Sequence, residues 1–337
     1  MPFRICVIGC GALSSQAHGP ACRRYAERHP EVELAACCDL DTARAASYQQ
    51  ANGFRRHYGD YRTMLASERP DAVCLMAPVD KTCELSCAVM ELGFPLLMEK
   101  PPGLNRDECL AMIAAADRSG VPNQVAFNRR YTPLVQELRA RLAAEFQPTD
   151  IQNLRYDFFR INRRDADFAT TAIHGIDTAS FIAGSPYRRV RCRYQELPAL
   201  GPTVANIFMD CDLVSGATVQ ITFCPVTGVI IERATVSLFD HTYFLNLPIW
   251  QAYDSPGRLL HLQRGACVED LAGGTLEGAD LMYVAAGFYG ENASFFDDLR
   301  AGRRPQGDLR SGLQAVEIAD CLRQRRPEYV ATSLTAP

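Results

Sequence analysis

The sequence lacks the features that would place a chain in a membrane or on a nucleic acid. No apolar run approaches the roughly 18 residues that a membrane-spanning helix requires. Basic and acidic residues are mixed to a formal net charge of −4, and no basic block is dense enough for a nucleic-acid surface. The chain also starts without the apolar stretch and small-residue cleavage site of a signal peptide. We therefore expect a cytoplasmic protein without nucleic-acid or membrane partners.

The 14 cysteines are numerous but show no CxxC pair with the spacing of a zinc site. They are scattered, and several lie inside apolar runs, where a free thiol behaves as a small hydrophobic side chain. This pattern favours buried thiols in a reducing compartment over disulfides. We expect no bound metal.

Strand and helix patterns alternate along the first 120 or so of the 337 residues. Short β-rich apolar runs are separated by amphipathic stretches, which is typical of a parallel sheet covered by helices. The predicted strands are 3–8, 32–38, 72–76, 95–98 and 125–127, and the predicted helices are 17–28, 42–51, 61–66, 82–92 and 106–119.

The pattern changes after residue 130. Runs that alternate and are rich in Val, Ile, Thr, Tyr and Phe predict a mostly antiparallel sheet. Its predicted strands are 153–160, 189–196, 206–212, 218–223, 230–239 and 242–247, and the accompanying helices are 133–144, 171–182, 291–301 and 310–323. The fold class is therefore α/β, with an N-terminal parallel-sheet domain over 1–123. A C-terminal α+β domain with a large, mostly antiparallel open sheet follows over 124–337. Whether the closing helices pack back on the first domain stays open.

A glycine turn follows the first predicted strand directly. Gly9 permits a tight turn, and Gly11 lets the backbone approach a pyrophosphate. The next residues, Ala12 and Leu13, open a helix whose free N–H groups and positive dipole end suit an anion. Ser14 takes the third small position, where Gly or Ala is usual. In this strand–turn–helix context the motif predicts a dinucleotide-binding Rossmann domain.

The second predicted strand ends at Asp39. A carboxylate there can accept hydrogen bonds from both hydroxyls of the adenosine ribose and would repel a 2′-phosphate. Leu40 follows, where an arginine would hold that phosphate, so we expect NAD. Arg44 is near enough in sequence to leave NADP open, and a purely structural turn at Asp39 is the alternative.

An ionisable pair, Glu99 and Lys100, follows the strand 95–98 and precedes Pro101. Ligands of open α/β sheets bind at the carboxyl ends of the strands, so these side chains stand at the expected site. With them, the chain resembles the Gfo/Idh/MocA family of dehydrogenases, which act largely on sugars and cyclitols. The resemblance is carried by the glycine turn with His18 after it, Asp39, Glu99-Lys100-Pro101, the run from Ala126 to Tyr131, and His174 with Asp177.

The resemblance implies roles for several residues. Lys100 would lie beside the nicotinamide and bond the reacting oxygen, aimed by a Lys100–Pro101 bond that is often cis in the family. Ala77 and Pro78 would line the nicotinamide side. Asn128 and Tyr131 would approach the active site from the domain junction.

The helix around His174 departs from the family pattern. Relatives carry an aspartate four residues before the histidine, and here that position is Thr170. A carboxylate would fix the histidine tautomer and raise its basicity, whereas threonine can only hydrogen-bond. Asp177, three residues later, could pair with His174 on the same helix face. Alternatively, Asp165 or Asp167 supplies the charge, and the sequence leaves this choice open.

The loop from residue 160 to 167 is rich in bidentate donors and acceptors, among them Arg160 and Arg163. It would suit a polyol, a sugar acid or a phosphorylated sugar. A solvated surface loop is an equally good interpretation.

Together these residues predict hydride transfer between a nicotinamide and a carbinol or carbonyl carbon of a sugar, cyclitol or related polyol. Lys100 and His174 are the expected catalytic residues, with the substrate between the two domains. The alternatives are a non-catalytic cofactor-binding regulator, which Thr170 would favour, and a redox-cycling epimerase, lyase or glycosidase. An open sheet with an apolar face needs cover, so we also expect a homodimer or homotetramer.

Overall fold

The computed structural model describes residues 2–332 and contains fifteen strands and ten α-helices in that range. The strands are β1 (Phe3–Ile8), β2 (Val32–Cys38), β3 (Arg56–Tyr58), β4 (Ala72–Leu75), β5 (Leu96–Glu99), β6 (Asn123–Ala126), β7 (Ile151–Phe159), β8 (Tyr187–Glu196), β9 (Ala205–Leu213), β10 (Thr218–Cys224), β11 (Ile231–Leu238), β12 (His241–Asn246), β13 (Arg258–Gln263), β14 (Ala266–Ala272) and β15 (Glu328–Val330). The helices are α1 (Gly19–Arg28), α2 (Thr42–Asn52), α3 (Tyr61–Glu68), α4 (Val79–Glu91), α5 (Arg106–Ser119), α6 (Pro133–Glu145), α7 (Ala169–Ala183), α8 (Met282–Ala285), α9 (Phe288–Arg300) and α10 (Leu309–Arg323).

The chain forms two compact units. The first contains residues 1–128 and 288–316, and the second contains residues 129–287 and 317–337. The first unit therefore reaches beyond the predicted boundary at residue 123, because β6 pairs in parallel with β5 as the last strand of its sheet. It also takes in α9 and the first half of α10 from the far end of the chain.

The first unit is built on a six-stranded sheet in the order β3-β2-β1-β4-β5-β6. All its pairs are parallel, as the alternation of strands and helices predicted. Its central strands are buried on both faces, which explains their continuous apolar sequence. The carboxyl ends of the strands consequently meet along one edge.

Buried cysteines belong to the core of the first unit. Cys22, Cys37 and Cys74 lie in one apolar cluster with Phe295 and Phe296 of α9. Burial raises the pKa of the Cys6 thiol to about 12, so this group stays protonated at neutral pH. Among the residues from 2 to 332, no group of three or more His, Cys, Asp or Glu side chains comes together as a metal site.

The second unit is built on a nine-stranded sheet in the order β14-β13-β12-β11-β7-β10-β9-β8-β15. Only the β7–β10 pair is parallel, so the predicted mostly antiparallel sheet is confirmed. Helices α6 and α7 pack against one face of it. Within the described residues, no helix has the length and apolar character to cross a bilayer.

A buried carboxylate, Glu232 of β11, organises the centre of the second unit. Its side chain is fully buried and accepts hydrogen bonds from Arg129 at 3.0 Å, from the Tyr156 hydroxyl at 2.7 Å and from Arg160. Burial alone would raise the pKa of Glu232, but the Arg129 and Arg160 guanidiniums lower it to about 2. Arg160 lies over the Phe158 ring, with its guanidinium carbon 3.6 Å from the ring centre. The guanidiniums of Arg129 and Arg160 and the carboxylate of Glu232 thus form one buried ionic cluster.

Replacing Glu232 by Gln leaves Arg129 and Arg160 buried without their counter-charge. We expect the free energy of unfolding at pH 7 to fall by about 3 kcal/mol, the scale for breaking a buried pair. Because the folded-state pKa lies near 2, below the ordinary 4.5, this stabilisation is complete above about pH 4.5 and disappears as the pH falls towards 2. Chemical denaturation across this pH range measures it.

Glu137→Gln is the matched control, since the exposed Glu137 carboxylate pairs with Arg141 at the protein surface. It should change stability little. A Glu232→Gln protein as stable as this control at pH 7 would contradict the role assigned to Glu232.

Candidate functional site

A cavity of about 650 Å³ opens along the carboxyl edge of the first sheet. It is lined by the residues that the sequence predicted for a dinucleotide, namely Gly9, Gly11, Ala12, Leu13, Asp39, Ala77, Pro78 and Glu99. Sequence reasoning did not assign other lining residues, which include Asp41, Asp60, Tyr61, Met76 and Leu85. Asp41 and Met76 adjoin predicted residues, whereas Asp60 and Tyr61 follow β3 and Leu85 belongs to α4. The parallel pairing of β1 to β5 brings these segments to one edge.

The two glycines of the turn serve different purposes. Gly9 has a φ of +93°, and a Cβ there would lie 2.2 Å from the Met76 carbonyl oxygen, so the packing of the sheet itself excludes a side chain. A Cβ on Gly11 would meet no protein atom within 4 Å. The protein therefore does not require glycine at Gly11 for its own packing. The space in front of it fits the pyrophosphate of a dinucleotide.

The first helix begins with a π-helical turn over Ser14–His18, upstream of the start predicted at residue 17, and continues as α1. Ser14 is buried and its hydroxyl donates to the Tyr48 hydroxyl of α2 at 3.0 Å. This contact explains how serine is accommodated at the third small position. The wider π turn also carries His18 into the interior beneath β5, where its side chain is fully buried.

Asp39 holds the turn between β2 and α2. One carboxylate oxygen accepts the backbone N–H of Cys10 at 2.9 Å and the other accepts that of Asp41 at 3.0 Å. The N-cap of α2 is Asp41, which leaves Asp39 facing the cavity. Arg44 lies 3.5 Å from the Asp39 carboxylate and lines the same cavity. A carboxylate at this place suits the ribose hydroxyls of NAD, and the nearby guanidinium keeps NADP open.

Glu99 and Lys100 stand at the end of β5. Glu99 is buried and lines the cavity, and its second oxygen accepts the Lys100 backbone N–H at 3.0 Å. Lys100 is half-buried, and the Lys100–Pro101 bond is cis.

His174 lies buried on α7 in the second unit. Its Nε2 is 3.3 Å from a guanidinium nitrogen of Arg129. Because arginine can only donate, Nε2 accepts and the neutral imidazole carries its proton on Nδ1. The partner of His174 is therefore a cation from the Asn128–Tyr131 turn, at a place where relatives were expected to supply a carboxylate.

The sequence offered three carboxylates as partners of His174, and each of them pairs with another residue in the structure. Asp177 forms a bidentate pair with Arg130 at 2.9 and 2.5 Å. Burial raises the pKa of the Asp177 carboxyl above its ordinary value, although Arg130 opposes this shift. Asp165 pairs with Arg163 at 2.7 Å. Asp167 pairs with Arg323 at 2.8 Å and accepts the Ala169 backbone N–H at the start of α7. The Thr170 hydroxyl donates to the Asp167 carbonyl oxygen.

The predicted substrate loop divides in the structure. Arg160 is directed inward, where its donors are engaged by Glu232 and by the Phe159 and Ile231 carbonyl oxygens. Arg163 is partly exposed and donates to the Thr171 hydroxyl at 2.9 Å. Arg163 thus lies at the surface of the loop, whereas Arg160 is engaged by Glu232.

Tyr131 is half-buried in the second unit, and Asn128 is buried in the first. Sequence reasoning missed Arg129 and Glu232. Arg129 lies in the run from Ala126 to Tyr131, where it received no role, and the signal for Glu232 is a charged residue inside β11.

The comparisons with known proteins agree with this geometry. A family model described as an oxidoreductase family with an NAD-binding Rossmann fold, GFO_IDH_MocA, matches residues 3–127. D-apiose dehydrogenase of Paraburkholderia graminis is 33% identical over 134 residues, which are 40% of this chain and 34% of that protein. D-glucoside 3-dehydrogenase of Escherichia coli is 26% identical over 197 residues, which are 55% of each chain. The chain thus spans about a third and about half of the length of these two relatives.

Among solved structures, an NAD binding oxidoreductase from Klebsiella pneumoniae has the same fold. The TM-score is 0.82 at 21% identity, over 99% of this chain and 100% of that one. An identity of 21% shows a shared fold alone, and the likeness covers the second unit as well as the first. Residues 3–127 are thus similar to the Gfo/Idh/MocA oxidoreductase family, whose model describes an NAD-binding Rossmann fold.

Proposed function

We propose that the protein is an NAD-dependent dehydrogenase that interconverts a CH–OH group and a carbonyl on a sugar, cyclitol or related polyol. The observation that carries the proposal is the cavity at the carboxyl edge of the first sheet, which ends at Glu99, directly before Lys100. The dehydrogenase names of the relatives support the substrate class.

The residues that would hold NAD are those that line this cavity. The glycine turn and the following helix start would bind the pyrophosphate, Asp39 the adenosine ribose, and Ala77, Pro78 and Glu99 the nicotinamide side. When bound, NAD supplies a hydride acceptor at its nicotinamide ring, and NADH supplies the donor.

Lys100 is our candidate for the group that stabilises the reacting oxygen. The chain has 35 Lys and Arg residues, and only Lys81 and Lys100 are lysines. A compact ammonium on a flexible stem can approach one oxygen atom closely, which the wider planar guanidinium does less well. A lysine retained at the end of β5 in so arginine-rich a chain supports a chemical role.

His174 is our candidate for the proton-transferring group. In the structure its Nε2 accepts from Arg129, so the neutral ring offers an Nδ1–H to a substrate oxygen. This arrangement favours hydrogen-bond donation to a carbonyl oxygen. Transfer of a proton to that oxygen requires a second ring proton, so Nε2 must first separate from Arg129. Removal of a hydroxyl proton in the opposite direction requires Nε2 to separate from Arg129.

Direct substrate contacts are proposed for Asn128, Tyr131, Arg163 and Thr170. Arg160 and Asp177 would act indirectly, because their side chains hold Glu232 and Arg130. The cytoplasmic location and the absence of nucleic-acid and membrane partners stay predictions from the sequence.

Lys100→Met tests the proposed function. With NAD or NADP and a panel of polyols, sugars and sugar acids, the wild type should produce stoichiometric NADH or NADPH, followed by absorbance. Lys100→Met should lower kcat by about a hundredfold or more, because oxyanion-stabilising groups contribute on that scale. The dissociation constant for NADH, measured by fluorescence, should change little.

Lys81→Met is the matched control, since Lys81 is the other lysine and pairs with Glu84 on the exposed face of α4. It should retain full activity. Equal losses of turnover and NADH affinity in Lys100→Met, or product formation without net NADH in the wild type, would contradict the proposal.

Gly11→Val tests the cofactor cradle. The valine side chain would enter open space, so the protein should fold normally while its methyl groups occupy the proposed pyrophosphate site. We expect the dissociation constant for NADH to rise at least tenfold, with the thermal unfolding midpoint within a few degrees of the wild type. Unchanged NADH affinity would show that the dinucleotide does not approach Gly11.

We also propose that the protein forms a homodimer or homotetramer through the sheet face opposite α6 and α7. That face carries Phe244 of β12, 39% exposed, beside Leu260 of β13 in register. Light scattering should give a dimer or tetramer, and Phe244→Arg should shift it towards monomer. Phe239→Arg, in the exposed turn between β11 and β12, is the control that should not. A monomeric wild type would contradict this assembly.

A further inference from the structure

A chain of buried polar side chains lies beneath the end of β5 in the first unit. It consists of His18 from the π turn, Glu99 from β5 and Asn292 from α9. His18 and Asn292 are fully buried, and Glu99 is 7% exposed. The proposed reaction does not use His18 or Asn292.

The hydrogen-bond direction in this chain is fixed by a backbone carbonyl. The Asn292 side-chain nitrogen lies 2.8 Å from the Phe288 carbonyl oxygen, which can only accept. The same nitrogen lies 3.0 Å from Nδ1 of His18, so it also donates there. The amide oxygen of Asn292 faces the thiols of Cys22 and Cys74, each at 3.8 Å, and accepts from them. These contacts fix which end of the Asn292 amide is the nitrogen and which is the oxygen.

The direction passes on to Glu99. Because Nδ1 of His18 accepts, the neutral ring carries its proton on Nε2. This nitrogen lies 2.9 Å from one carboxylate oxygen of Glu99 and donates to it. The other oxygen accepts the backbone N–H of Lys100 at 3.0 Å. The hydrogen-bond path thus runs from Asn292 through His18 and Glu99 to the backbone of Lys100.

The surroundings of His18 leave its ring little freedom. The Phe288 ring packs edge-on against it with centroids 5.4 Å apart, and a Glu291 carboxylate oxygen lies 4.0 Å from Nε2. Asn292, Phe288 and Glu291 all belong to α9, which is far from the glycine turn in sequence. Residues 288–300 thereby complete the wall beneath Glu99 and Lys100.

We propose that His18 and Asn292 are positioning residues, which orient the Glu99 carboxylate and through it the backbone that presents Lys100 to the substrate. The proposal rests on the proposed function of Lys100. Neither residue touches substrate in this scheme, and both act through Glu99. Displacement of a catalytic group by about 1 Å can cost a hundredfold in rate, so such positioning has a measurable effect.

A pair of amide substitutions separates positioning from packing. In His18→Gln the side-chain N–H₂ can take the place of Nε2 and still donate to Glu99. In His18→Asn the shorter side chain reaches only the position of Nδ1, so it meets Asn292 but leaves Glu99 without this donor. We expect kcat to fall at least tenfold in His18→Asn and to stay within about threefold of the wild type in His18→Gln.

The loss should appear in kcat, with KM and the dissociation constant for NADH changed by less than about threefold. Equal losses in the two variants would indicate a packing role and overturn the proposal. Full activity in His18→Asn would overturn it as well.

A second measurement is independent of turnover. In the full-length protein labelled with ¹⁵N-histidine, the His18 resonances, identified by their absence from His18→Gln, should show the tautomer protonated on Nε2. Asn292→Leu should weaken this preference, whereas Asn153→Leu on β7 of the second unit should leave it unchanged. A wild-type His18 protonated on Nδ1 would overturn the proposal. Because this readout needs no substrate, it distinguishes failure of the positioning chain from failure of the proposed function.

Discussion

The close contact between the Gly9 backbone and the Met76 carbonyl oxygen fixes the relative position of the strand ends that line the cavity. No side chain fits between this backbone and the Met76 carbonyl oxygen, so the ends of β1 and β4 lie at one level. Hydrogen bonds from Gly9 to Cys38 and from Met76 to Ile8 extend that level to β2. Asp39, Ala77 and Glu99 thereby come to line one cavity from three different strands. This steric constraint thus sets the positions of the side chains that line the cavity.

Two buried carboxylates, one in each unit, lie among partners of fixed hydrogen-bonding character. Glu232 accepts from two guanidiniums and a hydroxyl, and Glu99 accepts from a histidine ring and a backbone N–H. Arg129 is shared between Glu232 and His174. An arginine therefore sets the tautomer of His174, where the resemblance led us to expect an aspartate at residue 170.

The sequence was informative where structure is local. The parallel strands β1, β2, β4 and β5 were predictable because each is a largely apolar run. Helix α5 was predicted at its observed bounds, 106–119, because Gly120 ends it. The strands β3 and β15 were not predicted, since three residues carry too little periodicity. The strands β13 and β14 were not predicted either, because they mix polar and apolar residues. Pairings between distant residues leave no local pattern. Asp177 with Arg130 and Asn292 with His18 are separated by 47 and 274 positions.

The return of residues 288–316 to the first unit has a consequence for how the protein is made. The Val125 N–H of the edge strand β6 donates to the Gly307 carbonyl oxygen, and the Asn123 side chain accepts the Leu309 N–H at the start of α10. On the ribosome, residues 1–128 therefore emerge with an unfinished edge strand and without the α9 side chains that pack beneath the end of β5. The first unit can be completed only after the 159 intervening residues, 129–287, have been synthesised.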